Sequence, residues 1–344
     1  MVNNTDYEKY QSMLTDKVKP IGEYLPDFKA ACETPSKRIS TGYLSIDKIL
    51  NGGFANELYI MGAETSTGKS AILMDMAQHI ALDGTDVLYF ALEMSKDEFI
   101  ARGISSLSYK AFLKDNNKKK LTAGNILYYT YDNAVKDFTK LSYSHYDQYV
   151  QEYGKLYGEH LHIIESGLTG LTVKDIANIA ALYKKQHDNQ PVVVFVDYLQ
   201  MIKADPEDRT QSDRKTKIDI SVSTLKVLAS QIGMPVITIS SINRGSYNGK
   251  IKTSAFKESG DTEYTGGVLI GWNWEGVTNE TDPDKIKAEK DNCRERGFRK
   301  MSFEVLKNRN SERDTSVHFC FYPAYSYFEE YDEWEPASKV PFLK

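Results

Sequence analysis

Three cysteines in 344 residues, Cys32, Cys293 and Cys320, rule out a disulfide framework. Their separations match no metal-ligand spacing, and so sparse and odd a count suits a reducing cytoplasm. No uninterrupted apolar run approaches the length that spans a bilayer, so no membrane association is expected. The first residues, Met-Val-Asn-Asn-Thr-Asp-Tyr-Glu, lack both a basic n-region and an apolar h-region, so no secretory signal is expected. Excess positive charge is missing too, since the net charge is −5. That removes whole-molecule attraction to nucleic acid but leaves room for a locally positive channel. There is no internal repeat and no low-complexity tract. What is present, 41% hydrophobic and 26% charged, is an ordinary globular composition. The length suits one large α/β domain with appendages or two small domains.

The most informative stretch is Ala63-Glu-Thr-Ser-Thr-Gly-Lys-Ser70. It follows a short apolar run, Glu57–Met61, and precedes Ser70–Leu82, where Ile72, Leu73, Met76, Ala77 and Ile80 recur at helical spacing. A strand, a loop ending in Gly-Lys-Ser and a helix together make a phosphate-binding loop, with Ala63 in place of the usual first glycine. Residues Ala63, Glu64, Thr65, Ser66, Thr67, Gly68, Lys69 and Ser70 are therefore the expected nucleotide site. Backbone N–H groups and the helix N-terminus face the phosphates, and Gly68 permits close backbone approach. Lys69 is placed to reach the β- and γ-phosphates of ATP, and the Ser70 hydroxyl to help hold Mg²⁺.

Further strands are expected at Asp86–Leu92, Leu161–Glu165, Val192–Asp197 and Pro235–Ser240, then at Gly267–Trp272, Met301–Leu306 and Val317–Tyr322. The continuous apolar run Val192-Val-Val-Phe-Val-Asp197 predicts a central parallel strand buried on both faces. Asp219–Gln231 reads as a helix ending before Gly233 and Pro235. Asp197, closing its strand, suits the acid that positions Mg²⁺. Glu93, just past the strand after the phosphate-loop helix, suits the base that orients and deprotonates attacking water. Read singly, each is also an ordinary solvated strand-end carboxylate. Together they converge on the crevice where α/β folds bind ligands.

Residues 1–38 read as an arm, with Tyr7, Tyr10 and Leu14 at helical spacing and Pro20, Pro26 and Pro35 interrupting regular structure. Residues 103–160, rich in Tyr and Lys, admit two readings: surface helices with a solvated charge run at Lys118-Lys119-Lys120, or an insertion contacting a subunit or DNA. The acidic, aromatic stretch 329–344 reads as a frayed tail or a partner-binding peptide.

Several short segments then resemble one family. Ser40-Thr-Gly-Tyr-Leu-Ser-Ile-Asp-Lys-Ile-Leu50, Phe90-Ala-Leu-Glu-Met-Ser95, Val196-Asp-Tyr-Leu-Gln-Met201, Lys257-Glu-Ser-Gly260 and Lys307-Asn-Arg-Asn310 are similar, in order and separation, to motifs of DnaB-type replicative DNA helicases. The resemblance covers about residues 39–328 and implies a RecA-like P-loop motor domain, a mostly parallel central sheet flanked by helices. It implies ATP and Mg²⁺ as cofactors, with Lys69, Ser70 and Asp197 at the nucleotide and Glu93 as catalytic glutamate. It implies that Lys307 and Arg309 reach into a neighbouring subunit's site; the rival reading of these two is ordinary surface charge. It implies single-stranded DNA held by the loop containing Lys257, Glu258 and Gly260, with Arg244 and Lys250 as weaker contacts. A sequence-independent translocase needs only such backbone tracking.

The resemblance has two departures. The expectation is a chain without the family's N-terminal collar domain, only the arm standing in its place, so loading and primase coupling do not carry over. Where the family usually has Ser-Gln ahead of the DNA loops, this chain has Ser240-Ser241, removing a glutamine that would sense the γ-phosphate. The implied function is an ATP-dependent helicase that assembles as a homo-oligomeric ring, a hexamer, with replication proteins as partners. Its rivals are a RecA-like DNA-binding ATPase that does not unwind, such as a recombination or mobile-element replication factor, and a nucleotide-gated ring scaffold. A small-molecule kinase leaves Lys307, Arg309 and Lys257–Gly260 without a role.

Overall fold

In the central strands, alternate side chains enter two different cores. Tyr59, Met61 and Ala63 of β1 (Leu58–Ala63) join one core, while Leu58 and Ile60 join the other. In β2 (Asp86–Ala91), Val87, Tyr89 and Ala91 divide from Leu88 and Phe90 in the same way, and in β4 (Val192–Asp197), Val193 and Phe195 divide from Val192, Val194 and Val196. A sheet with two apolar faces must be covered on both sides, which is why these strands read as unbroken apolar runs. Each fully buried large apolar side chain contributes about 1.5–3 kcal/mol.

The computed structural model describes residues 11, 18–33, 38–128, 143–207, 213–242, 249–256, 267–308 and 315–331. The chain divides into two units, Met1–Arg38 and Ile39–Lys344. In the first, α1 (Ile21–Glu33) exposes Ile21, Leu25 and Phe28 at i, i+4, i+7 spacing. It contains Pro26, where the sequence suggests an interruption. Proline here cannot donate to the Gly22 carbonyl, yet the helix continues past it to Glu33. The expected Tyr7–Leu14 repeat lies outside the described residues, apart from Gln11.

The second unit is built on one nine-stranded sheet, ordered β3-β2-β4-β5-β1-β6-β7-β8-β9. The remaining strands are β3 (Leu161–Glu165), β5 (Val236–Ser241), β6 (Val268–Trp274), β7 (Arg299–Lys307), β8 (Thr315–Tyr322) and β9 (Tyr327–Tyr331). The first six in spatial order pair parallel, and β6 to β9 pair antiparallel. All eight expected strands are present, with ends shifted by up to two residues. The ninth carries Glu329 and Glu330 within the sheet, beyond the boundary the acidic composition suggested. Phe328, buried and stacked 4.4 Å from Phe321, anchors it.

One face is covered by α3 (Lys69–Leu82), α4 (Lys96–Lys114) and α6 (Tyr143–Tyr157), with α2 (Leu44–Ile49) and α5 (Ala123–Leu127) packed against the same core. The other face is covered by α7 (Val173–Gln186) and α8 (Arg214–Gln231), and α9 (Pro283–Arg296) lies between β6 and β7 in the chain. Of the six tyrosines of the 103–160 segment whose side chains are described, four are core: Tyr109, Tyr149, Tyr153 and Tyr157 are buried, and Tyr128 is exposed. Lys118, Lys119 and Lys120 are exposed, and Lys120 Nζ lies 4.5 Å from the Phe112 ring centre. These three lysines lie in the loop after α4 and not on a helix.

The back of α3 holds a buried charge. Asp75, 1% exposed, accepts from the Tyr43 hydroxyl and from Lys110 Nζ at 3.2 Å, and His79 Nε2 lies 3.6 Å away. Burial alone pushes its pKa up; Lys110, His79 and the Tyr43 bond outweigh that, and the carboxyl titrates below its ordinary value. A depressed carboxyl contributes stability above its unfolded pKa of about 4 and loses that contribution as pH falls through the folded value. Lys110→Met is therefore expected to destabilise the protein by about 2–3 kcal/mol at neutral pH. The deficit shrinks as pH falls below about 4 towards the depressed folded value of Asp75, and it is gone only once the carboxyl is protonated in both proteins. Urea midpoints at pH 7 and pH 3 check this; an equal deficit at both refutes it.

Candidate active site

The phosphate loop runs from the end of β1 into the first turn of α3. Two of its residues are left-handed, Ser66 at φ 62° and Gly68 at φ 88°. A Cβ on Gly68 meets a Phe321 ring carbon at 2.5 Å, so both backbone and space require glycine there. The loop's carbonyls are occupied from outside. Trp272 Nε1 donates to the Thr67 carbonyl at 3.0 Å, Arg299 Nη1 to that of Ser66 at 2.7 Å, and the Thr67 hydroxyl to that of Glu64 at 2.8 Å. In a planar trans peptide the N–H points opposite the carbonyl. These bonds therefore turn the N–H groups of Thr65, Thr67 and Gly68 to the other side, as an anion cradle needs.

Lys69 is 9% exposed, and its Nζ lies 5.4 Å from the Tyr198 ring centre. Burial lowers its pKa, and the charges of Glu93 and Asp197 act in the opposite direction. All three side chains thus share one electrostatic environment. Asp197 ends β4, beside Ala91 in the β2 register, and Leu92 N–H donates to the Asp197 carbonyl at 2.9 Å. Glu93 follows directly and is exposed. The two carboxylates therefore emerge together because their strands are parallel neighbours.

Asp197 is 1% exposed. Burial raises its pKa, aided by Glu93; hydrogen bonds from Ser70 and Tyr89 and the charge of Lys69 pull it back. The Tyr89 hydroxyl donates to Oδ2 at 3.0 Å, whereas Oδ1 is buried and has no hydrogen-bond partner. A buried carboxylate oxygen without a donor, beside a serine hydroxyl at a phosphate loop, fits a hard cation with oxygen ligands. The residues present thus suit Mg²⁺ together with a nucleotide triphosphate.

Lys307 ends β7 and pairs with Leu269 at the start of β6. The other end of β7 carries Arg299, bonded to the chain's own phosphate loop. Eight residue steps of strand separate them, about 27 Å at 3.4 Å per step. Lys307 therefore stands at the end of β7 away from the residue that touches its own phosphate loop. Lys250 bonds Glu304 at 3.1 Å. Arg309, Arg244, Lys257, Glu258 and Gly260 lie outside the described residues.

Motif and pattern alone did not reveal Tyr89, Tyr198, Trp272, Arg299 and Phe321, which hold the site from behind. Of these, Tyr198 alone stood inside a recognisable motif.

Comparison with known proteins places this geometry. The family model described as DnaB-like helicase C-terminal domain matches residues 38–330. The chain belongs to this family. Among its relatives, the replicative DNA helicase DnaB of Helicobacter pylori (strain ATCC 700392 / 26695) is 25% identical over 258 residues, 73% of this chain and 47% of that protein. DnaB of Leifsonia xyli subsp. xyli is 25% identical over 346 residues, covering 96% of this chain and 66% of that protein. Over the first relatives the chain spans about half of their length. Among solved structures, one described as an ATPase domain superposes with a TM-score of 0.70 at 19% identity, covering 91% of this chain and 99% of that one. A DnaB-like replicative helicase, whose structure was described with its primase interactions, gives 0.69 at 19% identity, covering 95% and 71%. These two establish the RecA-like fold of DnaB-family ATPase domains. Among the described residues, no helix is long and apolar enough to cross a membrane.

Proposed function

We propose that this chain is the motor of a cytoplasmic ring helicase, hydrolysing ATP at subunit interfaces to move along single-stranded DNA. The observation that carries the reading is the convergence of Lys69, Glu93 and the half-satisfied Asp197 at one phosphate loop. The loop N–H groups and Lys69 bind the triphosphate. Ser70 and Asp197 are the residues to hold Mg²⁺, which supplies charge stabilisation to the phosphates when bound. Glu93 accepts the proton of the attacking water. Arg309, with Lys307, completes a neighbour's site in a homohexamer. Lys257, Glu258 and Gly260, with Arg244, hold the DNA backbone. The exposed stripe Ile21, Leu25 and Phe28 suits an arm that docks on an adjacent subunit.

The test is steady-state ATP hydrolysis with and without single-stranded DNA, followed by strand displacement on a forked duplex. Strong stimulation together with displacement is expected. Stimulation without displacement selects the non-unwinding ATPase, and a rate indifferent to DNA selects the nucleotide-gated scaffold. The same assays on a chain lacking residues 1–30, run beside sedimentation, read the arm. Loss of the assembled species is expected, and a full-strength ring removes the arm from the reading.

A further inference from the structure

Strands β4 and β5 pair only from Val194 and Val236 to Val196 and Thr238. Beyond that point β5 continues alongside β1, up to Ala63 opposite Ser241, while β4 ends at Asp197 and turns into a short 3-10 segment, Leu199–Met201. The two strands separate where the nucleotide crevice opens. One side chain bridges the gap. Gln200 Oε1 accepts from the Ser241 N–H at 3.1 Å, and its Nε2 donates to the Ser240 hydroxyl at 3.0 Å and towards the Ser241 carbonyl at 3.4 Å. Its amide thus takes both the donor and the acceptor of Ser241, as a further strand residue would.

Gln200 is itself held. Lys217 Nζ, from α8, donates to the Gln200 carbonyl at 3.1 Å. Three residues before Gln200 stands Asp197, the acid with the orphaned Oδ1. Two residues after Ser241 the chain enters the segment 243–266, which contains Arg244 and Lys257–Gly260. Ser241 is too short to reach across the crevice, so on this side the amide comes from the other strand.

We infer that Gln200 is a positioning residue that couples the nucleotide-bearing end of β4 to the end of β5, and through it to the segment that grips DNA. This rests on the translocase reading above. A shift of the Asp197 turn on nucleotide exchange is passed to Ser241 because the amide bonds its main chain at two points. Such a link has content only if both ends bias it, and the measurable quantity is a coupling ratio.

The experiment measures the affinity of the full-length oligomer for a fluorescent oligothymidine, once with a non-hydrolysable ATP analogue and once with ADP. The isosteric Gln200→Glu variant turns the Nε2 donor into an acceptor facing the Ser241 carbonyl. Wild type is expected to bind DNA differently in the two nucleotide states. In Q200E the ratio of the two affinities is expected to fall about tenfold, a coupling of ordinary size, while affinity for a fluorescent ADP stays within twofold. A merely structural loosening weakens both affinities together and leaves their ratio. Lys217→Met, which keeps the amide and frees its carbonyl, is expected to lower the ratio in part and keeps the test decisive should Q200E not fold. A ratio unchanged in the soluble variants overturns the inference and leaves the translocase reading standing. A wild type that binds no DNA in either state overturns that reading and the inference with it.

Discussion

Glu93→Gln is expected to lower the ATP hydrolysis rate by about 10²- to 10⁴-fold, the usual worth of a positioned general base. Glutamine keeps the size and hydrogen-bonding reach of the side chain but cannot accept a proton. Asp197 cannot substitute for it. That carboxylate is buried, receives the Tyr89 hydroxyl at 3.0 Å and keeps its remaining oxygen, buried and without a donor, for the proposed cation. Glu93 is exposed at the mouth of the same crevice, where water arrives. Binding should move the other way. Removing one negative charge near Lys69 and Asp197 makes the crevice more favourable to a triphosphate, so affinity for a non-hydrolysable ATP analogue should hold or rise slightly. Single-turnover hydrolysis and analogue binding, measured on the same preparation, separate the two effects. Retention of more than about a tenth of the wild-type rate would contradict a general base of ordinary strength.

That Glu93 and Asp197 could be paired from the sequence at all follows from parallel topology. Each closes an apolar run, and runs linked through helices place their C-terminal ends on one edge of a sheet. The same logic made the central strands legible, because strands buried on both faces leave unbroken apolar signatures such as Val192–Asp197. The ninth, Tyr327–Tyr331, did not announce itself. It is an edge strand whose composition is acidic, and what fixes it, the pairing with β8 and the packing of Phe328 on Phe321, Phe319 and Trp272, is invisible in sequence. The supports of the phosphate loop were hidden for a related reason. Trp272 and Arg299 lie 205 and 233 residues from the carbonyls they bind, and nothing local in either segment signals the contact. Gln200 was visible in its motif, but its role depends on where β4 leaves β5, which the chain's local pattern does not encode.

Arg309→Ala is expected to reduce hydrolysis by about 10³- to 10⁵-fold in the assembled protein, the range for a guanidinium supplied to a phosphoryl-transfer site. Lys307→Ala should cost less, since a point-charge ammonium lacks the planar fork that meets phosphate oxygens in pairs. The direction of the effect follows from β7. Its first residue, Arg299, touches the chain's own phosphate loop, and its last, Lys307, lies across the sheet at the start of β6. A basic group at that far end is expected to act on another subunit. Mixing tests this. In rings formed from Arg309→Ala and Glu93→Gln chains, an interface is complete when an Arg309→Ala subunit offers its intact Glu93 to a neighbour that still carries Arg309. Random head-to-tail assembly makes about a quarter of interfaces complete in an equal mixture. Two nearly inactive proteins should therefore regain turnover on co-assembly. A yield near a quarter of wild type indicates sites that fire independently, and a much smaller one indicates sites that must fire in sequence. No recovery in a verified mixed ring refutes action across the interface when wild type doped with Glu93→Gln chains loses activity only in proportion to the dopant, the mark of sites that fire independently.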